Sequence, residues 1–185
     1  MRLYIVRHGK ATEQPSPLPA YKRPEGYPDD FDRPLTDRGA AQARYLGAEL
    51  KTAEPPVGLI LTSRYPRAMQ SAEIIRASLG AELKTAGELE VDHPVSEVLK
   101  LIEEHRGLRA MMIVGHNPQL GELISVLAKG LPPEQLMLRT GELVGIELRP
   151  NQGVGSGRVI VRLRLGDEAS HGAAINIVSG VVRGA

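Results

Sequence analysis

Three short motifs that contain arginine or histidine each follow an apolar run of the sequence. Arg7, His8 and Gly9 follow the run LYIV. Arg67 belongs to SRYPRA, which follows VGLILT, and His116 belongs to VGHNP, which follows RAMMI. Arginine stays charged and matches phosphate oxygens through paired N–H donors. Nearby positive charge disfavours protonation of histidine, and a neutral imidazole is a covalent nucleophile. These residue types predict an oxyanion pocket, with phosphate as the expected ligand and His8 as the nucleophile.

Metal binding is the main alternative role for the two histidines, and the sequence argues against it. Neither His8 nor His116 has a carboxylate within three residues, and the chain has no His-x-x-x-His pair and no cysteine. Zinc sites are built from three or four such ligands. A single histidine at the end of a strand is more often structural than catalytic, so the inference depends on the three motifs together.

The composition limits the class of protein. The chain has 185 residues, of which 42% are hydrophobic and 24% charged, and its formal net charge is +1. These values predict a single domain over 1–185 that binds no nucleic acid. The absence of cysteine excludes disulfides and phosphatases that use a thiolate. No stretch is typical of a signal peptide or a membrane span, so we expect a cytoplasmic protein that contacts no membrane.

Apolar runs alternate with amphipathic segments, which predicts an α/β domain. The expected form has three layers, with a mostly parallel central sheet between helices. The segments GELVGIELRP and GRVIVRLRLG predict an antiparallel hairpin at one edge of that sheet. The other strands are predicted at 2–6, 57–63 and 109–116, and the helices at 36–52, 66–79, 95–105 and 118–128. In such sheets ligands bind beyond the carboxyl ends of the strands, where all three motifs lie.

Two segments fall outside this regular pattern. The segment 12–34 contains six prolines, which prevent a helix or an interior strand. A loop of this length is usually functional or disordered, and we expect it to lie near the active site and to select substrates. The structure of the tail 166–185 is uncertain. Its sequence fits an extra strand, a segment that contacts a partner or an unstructured end. The oligomeric state also stays open.

Four motifs occur together in the order VRHGKA, RPLTDRG, SRYPRAMQSAEII and VGHNP. Their combination resembles the histidine phosphatase superfamily, the phosphoglycerate-mutase-like group, and within it the SixA-type phosphohistidine phosphatases. The resemblance covers residues 2 to about 148. It implies a phosphatase that forms a covalent phosphohistidine intermediate and needs no metal and no organic cofactor.

The resemblance also implies a role for particular residues. His8 is the nucleophile, and Arg7, Arg33 and Arg67 bind the phosphoryl oxygens. His116 contacts the phosphoryl group and stabilises its developing charge.

A general acid is the least defined member of the implied catalytic set. Many members of the superfamily use a Glu or Asp that follows the second helix, where this chain has GELEVDHP. Glu88 matches that position best, and Glu90 and Asp92 are rivals. SixA-type proteins have a reduced acid arrangement, which is consistent with a phosphoramidate leaving group that is easier to expel than an alkoxide.

Three functions agree with these expectations. The leading prediction is a phosphatase that removes phosphate from phosphohistidine in a protein. The second is a phosphomonoesterase of the same superfamily for a small phosphorylated metabolite, and the third is a non-catalytic phosphate-binding protein. The sequence alone does not separate the first two.

Overall fold

Helices and strands alternate along most of the chain. The structure is a computed structural model that describes residues 1–15, 23–149 and 155–166. Its strands are β1 (Arg2–Arg7), β2 (Leu59–Thr62), β3 (Glu82–Thr85), β4 (Ala110–Gly115), β5 (Glu142–Glu147) and β6 (Arg158–Arg164). Its helices are α1 (Asp37–Glu49), α2 (Pro66–Leu79), α3 (Val95–Glu104) and α4 (Gln119–Leu127). Short 3₁₀ turns occur at Asp29–Asp32, Gly87–Leu89 and Pro133–Gln135.

The six strands form one mixed sheet in the order β3-β2-β4-β1-β5-β6. The pairs β1–β4, β2–β4 and β2–β3 are parallel. The pairs β1–β5 and β5–β6 are antiparallel. The sheet therefore confirms the prediction of a mostly parallel α/β sheet with an antiparallel hairpin at one edge.

Apolar side chains cover both faces of the sheet, which makes the three predicted layers. Along β1, Leu3 and Ile5 pack into the cluster that holds α3 and α4. Tyr4 and Val6 point to the opposite face and pack with α1 and α2. Successive residues of a strand face opposite sides of the sheet, so a strand covered on both faces consists of apolar residues throughout. This explains why the central strands are continuous apolar runs.

The ends of the elements agree with the sequence prediction in most places. Thr36 caps α1, and its hydroxyl oxygen accepts a hydrogen bond from the Gly39 N–H at 3.1 Å. That helix ends at Glu49, three residues before the predicted end, and β2 is likewise shorter than the segment predicted for it. The strand β3 was not predicted, because the sequence ELKT has no apolar run and its side chains are mostly exposed.

Three predicted features lie wholly or partly outside the described residues. They are the residues 16–22 of the proline-rich segment, the hairpin loop 150–154 and the tail from 167 onwards. Across the described ranges, no helix is long and apolar enough to cross a membrane.

Two glycines bring the end of β1 against the start of α1. A Cβ on Gly39 would lie 2.2 Å from the carbonyl oxygen of Lys10, and a Cβ on Gly9 would lie 2.5 Å from the carbonyl oxygen of Gly39. The Lys10 carbonyl in turn accepts the N–H of Thr36 at 2.9 Å. The helix can therefore approach the chain that follows His8 only because both positions lack a side chain.

We predict that Gly39→Ala destabilises the protein by about 1–3 kcal/mol, because the added methyl overpacks a backbone contact. In an unhindered helix the same change stabilises by about 1 kcal/mol, so the sign of the effect is diagnostic. Urea unfolding of the two proteins measures it. Gly107→Ala is the control, since a Cβ there meets no atom within 4 Å. A Gly39→Ala protein as stable as the parent would contradict the close approach.

Candidate active site

One cavity of about 570 Å³ opens at the carboxyl ends of the parallel strands, and five predicted residues line it. His8 follows β1, His116 follows β4, and Arg67 lies in the first turn of α2, which follows β2. Arg7 is the last residue of β1, and Arg33 comes from the proline-rich segment. The strand order places β1, β4 and β2 side by side, so the three motifs meet at one edge of the sheet.

The ring of His8 is buried and fixed through one of its nitrogens. Its Nδ1 lies 2.7 Å from the carbonyl oxygen of Gly9. A carbonyl oxygen only accepts hydrogen bonds, so the Nδ1 must be the donor. The hydrogen therefore sits on Nδ1, and Nε2 carries the lone pair. Burial lowers the pKa of His8 to about 3, and the charges of Arg67 and Arg7 lower it as well. The side chain is thus neutral at physiological pH and can act as a nucleophile through Nε2.

His116 is the second buried imidazole of the pocket. Its ring centroid lies 5.1 Å from that of His8, and its Nε2 is 2.9 Å from the hydroxyl oxygen of Ser63. The ring of Tyr65 packs edge-on against it, with centroids 5.1 Å apart. Burial, followed by the proximity of His8 and Arg67, holds the pKa of His116 well below its usual value. Both histidines are therefore neutral in the folded protein.

Asp30 links two of the predicted phosphate-binding arginines. Arg67 donates from Nη2 to the Asp30 carboxylate at 2.7 Å and from Nη1 to the Asp30 backbone carbonyl at 2.6 Å. Arg33 donates from Nη1 to the other carboxylate oxygen at 2.6 Å. Burial alone raises the pKa of Asp30, but the hydrogen bonds and charges of Arg33 and Arg67 outweigh it and hold that pKa below its usual value. Asp30 is therefore an ionised side chain.

Arg7 is the third predicted arginine that lines the pocket. Its Nη1 donates to the carbonyl oxygen of Leu138 at 2.8 Å. Its buried Nε has no hydrogen-bond partner within the described part of the chain. Burial lowers the pKa of Arg7, and the charge of Glu142 partly reverses this effect. An arginine remains charged through such a shift, so Arg7 holds a positive charge beside His8.

The end of the proline-rich segment forms part of the pocket wall. Phe31 is almost fully buried and stacks with Tyr27 and Tyr65 at centroid distances of 5.0 Å each. The hydroxyl of Tyr27 donates to Glu90, which also accepts a hydrogen bond from Arg64. These contacts fix the position of Asp30, the neighbour of Phe31 in the chain.

Asp30 was missed by the sequence analysis. The acidic run DDFD directly before Arg33 is the signal that could have found it.

The candidate general acids do not belong to the described lining of the cavity. Glu88, Glu90 and Asp92 are absent from the described lining, which includes Val91 and the carboxylates of Glu13 and Asp30. Glu90 is buried and engaged by Arg64 and Tyr27. The structure therefore does not bring Glu88 or its rivals together with His8.

Within the residues that the structure describes, no group of three or more His, Asp or Glu side chains could hold a metal ion.

Fold and site together define a class of enzyme that handles phosphoryl groups. The model of the histidine phosphatase superfamily (branch 1) matches residues 3–94. The chain belongs to this superfamily and is a phosphatase. It is accordingly an enzyme, rather than a non-catalytic phosphate-binding protein.

Known relatives agree with this membership. An uncharacterized protein of Picosynechococcus sp. is 30% identical over 149 residues, which are 79% of this chain and 84% of that protein. The phosphohistidine phosphatase SixA of Escherichia coli is 25% identical over 156 residues, which are 80% of this chain and 86% of that enzyme. The fold is also similar to a crystal structure of a protein histidine phosphatase SixA bound to tungstate, with a TM-score of 0.70 and 24% identity over 89% of this chain and 97% of that one.

We predict that Asp30→Asn tightens the binding of inorganic phosphate about three- to tenfold. The substitution removes a negative charge that lies against two arginines of the anion site, and charges a few ångströms apart interact by about 1 kcal/mol or more. Inhibition by phosphate at constant ionic strength measures the effect. Asp29→Asn is the matched control, because its carboxylate is exposed and pairs with Arg23. Unchanged or weaker phosphate binding in Asp30→Asn would contradict this placement of Asp30.

We predict that His8→Asn makes the protein less sensitive to acid unfolding. The folded protein resists protonation of His8 down to about pH 3, whereas the unfolded chain takes up that proton below about pH 6.5. Stability contributed by neutral His8 is therefore complete above pH 6.5 and is lost as the pH falls towards 3. Between pH 7 and pH 5 the loss is about 2 kcal/mol at most.

Urea unfolding at a series of pH values tests this expectation. The free energy of unfolding of His8→Asn should decline less between pH 7 and pH 5 than that of the parent. His105→Asn, which lies outside the pocket, should follow the parent. Parallel curves for all three proteins would show that His8 is not buried as a neutral side chain.

Proposed function

We propose that this phosphatase removes phosphate from phosphohistidine in a protein, through a covalent intermediate on His8. The Nε2 of His8 attacks phosphorus in line, the bond from phosphorus to the substrate nitrogen breaks, and the other ring nitrogen of the leaving imidazole takes up a proton from water. Water then attacks the phosphorus of phosphorylated His8, so that inorganic phosphate leaves and His8 returns to its neutral form.

The single observation that carries this mechanism is the state of His8. A nucleophilic imidazole needs an unprotonated nitrogen, and the hydrogen bond from Nδ1 to Gly9 leaves Nε2 in that state. The pKa of about 3 keeps the ring neutral across the physiological range. Covalent attack by such a nitrogen splits one displacement into two easier steps.

Three arginines and His116 supply the charge stabilisation that phosphoryl transfer requires. Arg67 is held by two hydrogen bonds to Asp30, so its guanidinium is oriented before the substrate arrives. Arg7 lines the same cavity as His8 and keeps its positive charge. Preorganised donors of this kind lower the barrier without rearrangement during the reaction.

The acid–base character of the pocket favours a nitrogen leaving group. Asp30 is ionised by its two arginines and cannot donate a proton. Glu88, which the resemblance implies as general acid, lies outside the described lining, and Glu13 is an exposed side chain. An alkoxide is a poor leaving group without a proton donor, whereas the phosphoramidate bond of phosphohistidine breaks more readily.

A small phosphorylated metabolite is the second candidate substrate. The cavity volume of about 570 Å³ lies in the range of small-molecule sites. The wall around Asp30 is also fixed by the aromatic contacts of Phe31. Both features suit a bound metabolite as well as a protein side chain.

The function is tested by phosphate release in the presence of EDTA. The substrates are a phosphohistidine protein and a panel of phosphorylated metabolites, each incubated with the parent enzyme and with His8→Ala. We expect release from the phosphoprotein by the parent and none by His8→Ala, which keeps part of its phosphate binding. Arg67→Ala should lower the rate about 10²–10³-fold, as expected for the loss of one charge-stabilising group.

Each alternative outcome has a distinct meaning. Preference for one metabolite would keep the His8 mechanism and replace the substrate. Turnover by His8→Ala would remove His8 as the nucleophile. A rate of Arg67→Ala within tenfold of the parent would contradict the role of Arg67.

A further inference from the structure

The positive charge of the cavity exceeds what one phosphoryl group balances. Arg7, Arg33 and Arg67 contribute three positive charges, and Asp30 contributes one negative charge. A dianionic phosphoryl group at His8 neutralises the remaining two. Every other cationic side chain of the cavity wall therefore adds positive charge that the phosphoryl group does not neutralise.

Lys10 and Arg38 carry the surplus charge. Both line the same cavity as His8, and both are exposed. Within the described chain, neither side chain forms a hydrogen bond or an ion pair. The remaining charged members of the wall are Glu13 and Arg164, and even with Glu13 subtracted the surplus is positive.

The two cationic residues are attached at fixed points of the backbone. The Lys10 N–H donates to the side-chain oxygen of Gln42 at 2.9 Å, and the Lys10 carbonyl accepts the N–H of Thr36 at 2.9 Å. Arg38 belongs to the first turn of α1, the turn that packs on Lys10 through Gly39. Lys10 is two residues from His8 in the chain, and the two cationic side chains line the cavity that also holds the ring of His8.

We propose that Lys10 and Arg38 form a second anionic subsite, which binds an acidic side chain next to the phosphohistidine of the substrate protein. This inference rests on the proposed function and adds a sequence preference to it. A carboxylate at the subsite neutralises charge that the phosphoryl group leaves unpaired, and the volume of about 570 Å³ accommodates more than one phosphoryl group. Ion pairs at an exposed rim favour a charged partner and also steer its approach.

The test compares two phosphohistidine peptides that differ only in their flanking residues. One carries Asp or Glu beside the phosphohistidine, and the other carries Asn or Gln at the same positions. At low ionic strength we expect the parent enzyme to show a kcat/KM about five- to tenfold higher for the acidic peptide. This preference should shrink as salt is added, because exposed charges are screened.

The variant Lys10→Gln with Arg38→Gln should lose this preference, so that its kcat/KM values for the two peptides become equal. The control, Arg44→Gln with Lys51→Gln, also removes one arginine and one lysine from the N-terminal part of the chain. Arg44 lies within α1 and Lys51 follows it, and neither belongs to the described lining of the cavity. This control should keep the full preference for the acidic peptide.

Two results would overturn the subsite. One is equal kcat/KM for the two peptides with the parent enzyme, and the other is an acidic preference that survives in Lys10→Gln with Arg38→Gln.

If the parent cleaves neither peptide, the proposed function fails, and the subsite is then tested separately. A pair of phosphomonoesters with and without a carboxylate serves for that purpose. Loss of discrimination within this pair in the variant would keep the subsite and assign its anion to a metabolite, and unchanged discrimination would reject the subsite.

Discussion

The parallel pairing of β1 with β4 is the constraint on which the whole site depends. The register sets Arg7 opposite Gly115, so the next residue of each strand is a histidine. The His8 N–H continues the pairing by donating to the Gly115 carbonyl at 3.2 Å. The two imidazoles are thus neighbours at the edge of the sheet. A shift of one residue would place one of them on the other face.

Two buried imidazoles lie among arginines, and this arrangement determines both the protonation of the rings and the repulsion between the positive charges. Desolvation and positive charge keep both rings neutral, which nucleophilic attack requires. The same arginines would repel one another in an empty pocket, and Asp30 relieves this repulsion between Arg33 and Arg67. The carboxylate belongs to the proline-rich segment, so this segment contributes to the electrostatics of the site as well as to its shape.

Sequence reasoning predicted those features that local patterns specify. The helix Pro66–Leu79 has the predicted bounds, since proline at its start and Gly80 after its end are strong local signals. The strand β3 has no such signal, because pairing with β2 alone makes it a strand. Asp30 depends on how the aromatic residues around Phe31 fold the loop. Whether Glu88 belongs to the lining of the cavity likewise depends on tertiary packing, which one sequence does not reveal.

The proposed substrate and the lack of a buried carboxylic acid in the described lining of the cavity have a common physical basis. In an in-line displacement the leaving oxygen of a phosphomonoester departs on the side of phosphorus opposite His8, and it must take up a proton directly from an acid beside it. An imidazole leaving group has a second nitrogen on the far side of its ring. That nitrogen is not bonded to phosphorus, so water can supply its proton. A pocket whose carboxylate Asp30 is held ionised can therefore release an imidazole without supplying a proton itself.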